Sequence, residues 1–163
     1  MSGTYERAMA VLRGSLRIWS RNLLVFKKNL KVNALPPFVE PLLYLGAIGF
    51  GIGSYVSDVE GMPFVRFIAP AILAASVMNA SFFECAYGTF VRMYYQKAFD
   101  AIMATPLSLR EIIIGEILWG ATKAVVYTAL ILPLLAVFGV ISLPGSLLLL
   151  GLALLGGLLF GAI

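Results

Sequence analysis

The sequence predicts an all-α integral membrane fold, an N-terminal interfacial amphipathic helix followed by four transmembrane helices. Three observations predict it. Only 12% of the 163 residues are charged while 61% are hydrophobic, and mean hydropathy is +0.96. A soluble domain needs about a quarter of its residues charged to cover its surface. Long apolar stretches occupy 34–56, 64–90, 110–141 and 147–163. At about 1.5 Å per helical residue each can cross about 30 Å of hydrocarbon, the last at the lower limit of length. No run alternates with period two between turns, as the strands of a membrane barrel would.

The first element, within residues 1–33, is predicted as an amphipathic helix over 9–31. At 100° per residue Leu12, Leu16, Trp19, Leu23 and Phe26 fall within about 80° of one another, and Arg13, Arg17, Arg21, Lys28 and Lys31 take the neighbouring arc. Such a helix lies in the headgroup layer, its apolar stripe in the acyl boundary and its basic stripe toward phosphates or cytosol. Arg13, Arg17, Trp19 and Arg21 are its candidate interfacial residues. Two readings are open: a positively charged anchor, or an elbow that also touches a cytoplasmic partner. Pro36-Pro37 breaks the chain, and the first span, 34–56, starts there. No secretory signal peptide is expected, since the first apolar run begins late and has no small-residue cleavage site behind it.

Within the spans, Gly49/Gly53 and Gly157/Gly161 form G-x-x-x-G pairs, whose default reading is close intramolecular helix packing. Pro70 and Pro133 are expected to kink the second and third spans. Two ionisable groups lie deep, Glu84 in 64–90 and Lys123 in 110–141. Charges in the bilayer interior pair or face water. Two readings are open: a Glu84–Lys123 contact between the spans, or separate solvation of both groups where the helices project into the cytosol.

Charge sets the expected orientation. Arg7, Arg13, Arg17, Arg21, Lys27, Lys28 and Lys31 precede the first span, and Arg92, Lys97 and Arg110 lie between the second and third. The positive-inside bias places the N-terminus and 91–109 in the cytoplasm, and the loops 54–63 and 139–146 outside. Arg66 is the exception, expected to snorkel outward toward Asp58 or Glu60.

The segment 91–109 is more than a connector. Residues 92–104 read as a short polar continuation of the second helix, on which Phe99, Ile102 and Met103 make a small apolar face. Thr105-Pro106 ends it. Ser108 and Glu111 then have the spacing of a capping box that opens the third span. A helix clamped in this way between two spans can pass a push from a soluble partner to both.

Histidine is absent and Cys85 is the only cysteine, which removes His-based acid–base chemistry, thiol pairs and most zinc-site patterns. No nucleophile motif or acid-rich cluster points to an enzyme. No cofactor and no nucleic-acid partner is expected. The chain has no G-x-x-x-x-G-K-[ST] sequence, so any ATP-driven work needs a separate ATPase.

The run "YGTFVRMYYQKAFDAIMATPLSLREIIIGEILWGATKA" resembles the centre of ABC-2 type transport permeases. "FVEPLLYLGAIGFGIGSYV" and "FIAPAILAASVMNASFFE" resemble the lipo-oligosaccharide (nodulation-factor type) exporter permeases among them. The resemblance implies an elbow helix, six spans, a homodimer of permeases, two cytoplasmic ABC ATPase subunits, and an amphiphilic substrate such as a lipo-oligosaccharide, polysaccharide, lipid or drug. It implies the bacterial inner membrane as location. It also implies that about 96–105 is the ATPase-coupling helix, for which Gln96, Lys97, Phe99, Asp100, Ile102, Met103 and Thr105, with Pro106 after it, are the candidate residues. Two readings of its apolar face are open: Phe99, Ile102 and Met103 dock on the ATPase, flanked by Lys97 and Asp100, or the face lies against the membrane surface or the chain's own helices. Against that pattern, 1–163 is expected to be a fragment ending in the fourth of six spans. The alternative from another class is an ion-coupled carrier or channel that uses Glu84 and Lys123.

Overall fold

A computed structural model describes residues 2–30, 39–56, 58–59, 61–137, 139 and 147–163. Among these the chain is almost wholly helical. Helix α1 spans Ser2–Lys28, and α2 is the apolar helix Val39–Ile48. From Leu45 to Gly51 the backbone widens into a π turn, then tightens into a 3-10 turn over Ile52–Ser54. Two residues on each side of a tight turn, Asp58–Val59 (β1) and Met62–Pro63 (β2), form an antiparallel ribbon, pairing Asp58 with Pro63 and Val59 with Met62. Gly61 takes a positive φ of 78° in that turn, where a Cβ would be strained.

Helix α3 is Phe64–Phe83, extended by π turns at Glu84–Gly88 and Val91–Tyr95. Helix α4 is Ala98–Met103, α5 is Leu109–Val137 and α6 is Leu148–Ala162. Two of these rods, Phe64–Tyr95 and Leu109–Pro133, are long and apolar enough to cross a membrane. The helices α2 and α6 are apolar but shorter. The segment 31–38, which holds Pro36-Pro37, and 140–146 lie outside the described residues, as do Ser57 and Glu60.

Helix α5 is the central element: α1, α3 and α6 all pack on it. Three apolar clusters follow along its length. Near its start, Ile112 meets Ile18 of α1 and Phe99 of α4. In the middle, Ala124 meets Val77 of α3 and Ala153 of α6. Toward its end, Ile131, Leu132 and Leu135 meet Leu45, Ala69 and Leu73. The middle seam is built from small residues. A Cβ on Gly157 would lie 2.8 Å from the Ala121 Cα, and one on Gly161 would lie 2.9 Å from Ser81 Oγ. Both glycines of the last G-x-x-x-G pair are therefore used for close approach within the chain. The Ser81 hydroxyl donates to the Gly157 carbonyl at 2.5 Å, tying α3 to α6. Pro70 and Pro133 sit inside continuous helices.

The N-terminal helix differs from expectation in extent and in face. It begins at Ser2, and the side it turns to α5 is Ser15, Ile18, Asn22 and Phe26, all buried. Leu12 and Leu16, expected on the packing stripe, are about half exposed. The reason is the crossing with α5. A Cβ on Gly115 would stand 2.6 Å from Ile18 Cβ and 2.9 Å from the Ser15 carbonyl oxygen. Only a glycine lets the backbones come this close, and that contact fixes which arc of α1 faces inward.

The junction 96–108 also differs. The distal part of α3 does not run straight into 98–104. Lys97 adopts the left-handed conformation (φ 52°, ψ 25°) and separates α4 from the rod before it. The fold-back puts Phe99 into the groove between α1 and α5, where it is 4% exposed and packed with Ile18 and Ile112, flanked by Ile102 and Leu107. Phe99 is thus not an exposed anchor for a soluble partner. The ring already contacts two helices of its own chain and otherwise borders a cleft with Ile113 and Phe160. After Thr105-Pro106, Glu111 Oε2 accepts from the Ser108 backbone N–H at 2.5 Å and from its hydroxyl at 2.8 Å, the carboxylate half of the capping box.

The acids expected to meet Arg66, the Asp58 and Glu60 side chains, lie outside the described residues. Its Nε donates to the Gly139 carbonyl at 3.1 Å, which holds the loop after α5 to the start of α3.

Candidate functional site

The site is a network of charged and polar side chains where α1, the distal part of α3 and α5 meet. Its geometry follows from helix periodicity. Glu116 and Lys123 are seven residues apart on α5, two turns, and so share a face with Trp119 between them. Glu84 and Arg92 are eight residues apart on the α3 rod. At 100° per residue they would stand about 80° apart. The two π turns between and around them use more residues per turn and reduce that offset, so both side chains reach the α5 face.

Each carboxylate oxygen is satisfied. Glu84 Oε1 accepts from Arg92 Nη1 at 2.7 Å and from the Trp119 indole N–H at 3.0 Å, while Oε2 accepts from Lys123 Nζ at 2.6 Å. Glu116 Oε1 accepts from Asn22 Nδ2 at 3.1 Å and more loosely from Arg21 Nη2 at 3.4 Å. Glu116 Oε2 accepts from Arg92 Nη2 at 2.5 Å and from Thr89 at 3.4 Å. Arg92 therefore bridges both acids. The Lys123 ammonium also stands over the rings of Phe26 and Tyr127, at 5.9 Å and 5.7 Å. Phe26 meets Trp119 edge to face at 5.4 Å. The Glu116 side chain is only 4% exposed. Ions so poorly hydrated persist only when paired and hydrogen-bonded, and these are. Beside the network lies a cleft of about 360 Å³ lined by Arg21, Phe26, Glu84, Arg92, Trp119 and Lys123, with the exposed Val25.

The structure brings together some sequence-predicted residues and separates others. Glu84 and Lys123 touch, inside a larger network than a single pair. Arg21 turns inward to this network, and the Trp19 indole N–H donates to Thr122 Oγ1 on α5 at 2.9 Å, so neither stands free at a membrane surface. Arg13 and Arg17 are exposed. Gln96, Lys97, Asp100, Met103, Thr105 and Pro106 are exposed around α4, whereas Ile102 is half-buried beside Phe99. Lys97 stands 5.8 Å over the Tyr94 ring. Sequence reasoning missed Glu116 and Arg92 as buried groups, and Asn22 with them. The seven-residue spacing of Glu116 and Lys123 was the available signal.

Comparisons with known proteins agree on one family. A family model described as ABC-2 type transporter matches residues 15–163. The chain is 32% identical over 163 aligned positions to Nodulation protein J of Sinorhizobium fredii (strain NBRC 101917 / NGR234), covering 98% of this chain and 62% of that protein. It is 38% identical over 109 residues to Nodulation protein J of Rhizobium meliloti (strain 1021), covering 67% of this chain and 42% of the relative. It is 24% identical over 106 residues to the inner membrane transport permease YadH of Escherichia coli (strain K12), covering 65% and 41%. The chain thus spans less than two thirds of the length of these relatives. No solved structure matches. With two membrane-length rods and a family match over nearly all its residues, this helical chain belongs to the ABC-2 type transporter family.

Proposed function

We propose that this chain is part of the permease subunit of an ATP-driven exporter, moving an amphiphilic lipo-oligosaccharide, polysaccharide, lipid or drug across the bacterial inner membrane. The observation that carries the proposal is the family match over 15–163. The nodulation-protein relatives support a lipo-oligosaccharide within that range. That residues 1–163 hold no P-loop sequence supports a separate cytoplasmic subunit for ATP hydrolysis, and in this reading the working unit is a pair of permeases with a pair of ATPases.

In this reading α1 is an interfacial elbow, α2, α3, α5 and α6 belong to the first four spans, and α4 is the coupling helix. Force enters through the exposed residues Gln96, Lys97, Asp100, Met103, Thr105 and Pro106. It leaves through Phe99 and Ile102, which press on α1 and α5. The buried ring is the output of the coupling helix, not its docking point. The ionic network ties α1 and α5 to the distal α3 rod one level deeper, so a displacement of α4 is passed on to a rigid junction.

The test is export by the full-length permease co-expressed with its ATPase. Replacing the Walker lysine of the ATPase by Ala should abolish export without changing permease abundance. Export that survives this change and collapses with an ionophore would replace the proposal by the ion-coupled carrier. The paired state of Glu84 and Lys123 speaks against the carrier, because each of these charges already has a counter-charge.

A further inference from the structure

We infer that the cleft between α1, the distal α3 rod and α5 is a binding site for one phosphate monoanion, of the kind carried by an anionic lipid headgroup. The inference rests on α1 being interfacial and not on the transport reading.

Charge is the first observation. Arg21, Arg92 and Lys123 face two carboxylates, Glu84 and Glu116, which leaves one positive charge in excess. The excess belongs to Arg21, whose contact with Glu116 is the longest of the four ion pairs at 3.4 Å and whose side chain is 33% exposed. Donor capacity is the second. Arg92 Nε is buried with no hydrogen-bond partner among the described residues, and the Arg92 side chain, 17% exposed, is one of those lining the cleft. A guanidinium carries five N–H donors and suits phosphate. An oxyanion in the cleft would supply the acceptor that is missing.

Depth is the third. Helix α5 has 29 residues, a rod of about 43 Å against about 30 Å of hydrocarbon. Its far end carries no charge, so the surplus of about 13 Å falls on the side of Leu109. Glu116 and its partner Arg21 stand about 10 Å along the axis from Leu109, within that surplus, at headgroup level. The mouth is flanked on α1 by Val25, more than half exposed, beside Phe26. Apolar rim residues beside a cationic floor fit an acyl chain leaving a bound headgroup. The cleft of about 360 Å³ has room for a phosphate and its ester group, not for an oligosaccharide.

The test uses the full-length permease purified in detergent. Retained phospholipid is counted by native mass spectrometry, and affinity is read from the thermal shift on adding phosphatidylglycerol, phosphatidylcholine or glycerol phosphate. One tightly retained phosphatidylglycerol is expected, with phosphatidylcholine unable to displace it. Arg21→Gln should weaken retention about tenfold, the loss of one charge-assisted hydrogen bond. Val25→Trp, which fills the mouth from an exposed position and leaves every charge in place, should abolish retention, and it keeps the test decisive if the arginine variant folds poorly. A thermal shift with glycerol phosphate equal to that with phosphatidylglycerol would identify a soluble phosphate ester as the occupant. Equal retention of phosphatidylglycerol and phosphatidylcholine, or retention unchanged in both variants, would overturn the site.

Discussion

Glu84 holds Arg92, Trp119 and Lys123 on two oxygens, so its removal strands cations in a poorly hydrated place. Glu84→Gln is expected to cost about 3–5 kcal/mol, the range for breaking one side of a buried pair. Lys123→Met should cost less, because Arg92 and Trp119 remain on Glu84. The double variant should be milder than the sum of the two. The check is a double-mutant cycle on unfolding of the full-length permease in detergent, and strictly additive costs would mean that the pair does not interact. Gly115 is the other sensitive single position. Gly115→Ala puts a methyl 2.9 Å from the Ser15 carbonyl oxygen, a backbone atom that cannot swing aside. The expected loss is about 1–3 kcal/mol, whereas Gly46→Ala, with nothing within 4 Å, should be neutral or slightly stabilising in the same assay.

At the level of elements, α4 separates packing from exposure on six residues. Phe99→Ala should cost about 3–5 kcal/mol as a large-to-small change in a closed cluster. Met103→Ala, on the exposed side, should cost under about 0.5 kcal/mol. If pull-down of the ATPase follows Met103 and Asp100 while stability follows Phe99, the two faces have the assigned roles. Loss of ATPase binding from Phe99→Ala with unchanged stability would return the ring to the interface. Lys97→Gly should raise stability by about 1 kcal/mol, since a non-glycine residue pays about that much for left-handed backbone. The same element shows what the sequence could and could not disclose. The capping pair Ser108/Glu111 and the stop at Thr105-Pro106 were legible because their chemistry is local. The break at Lys97 was not, because lysine does not announce a left-handed residue as glycine or asparagine does. The cover over Phe99 comes from Ile18 and Ile112, too distant in sequence for any periodicity to connect. The π turns of α3 were invisible for a related reason: a wider turn has no composition of its own and is set by what pulls on Glu84 and Arg92 from α5.

For the whole molecule, the membrane class and the order of helices were legible from hydropathy alone, because apolar length is a property summed along the chain. Which arc of α1 faces inward was not, because Gly115 decides it from the opposite helix. Orientation remains to be tested by labelling. Cysteines placed singly at Ser57 and Ser142, on a Cys85→Ala background of this chain, should react with an impermeant thiol reagent on intact cells, and one at Ser108 should not. Labelling at Ser108 alone would reverse the assignment. The Arg66–Gly139 hydrogen bond already requires the ends of the two loops expected outside to lie on one side.

The sulfur of Cys85 sits on the seam between α3 and α5. A Cβ on Gly120 would approach it to 2.4 Å, and its thiol faces the Glu116 carbonyl oxygen at 3.6 Å. The described chain holds no second thiol. Nature has thereby installed a gauge at the joint between two rods. The thiol is half-buried and lines a cleft of about 450 Å³, so any motion that widens or narrows the joint changes how fast a maleimide reaches it, and that rate becomes a clock for the joint.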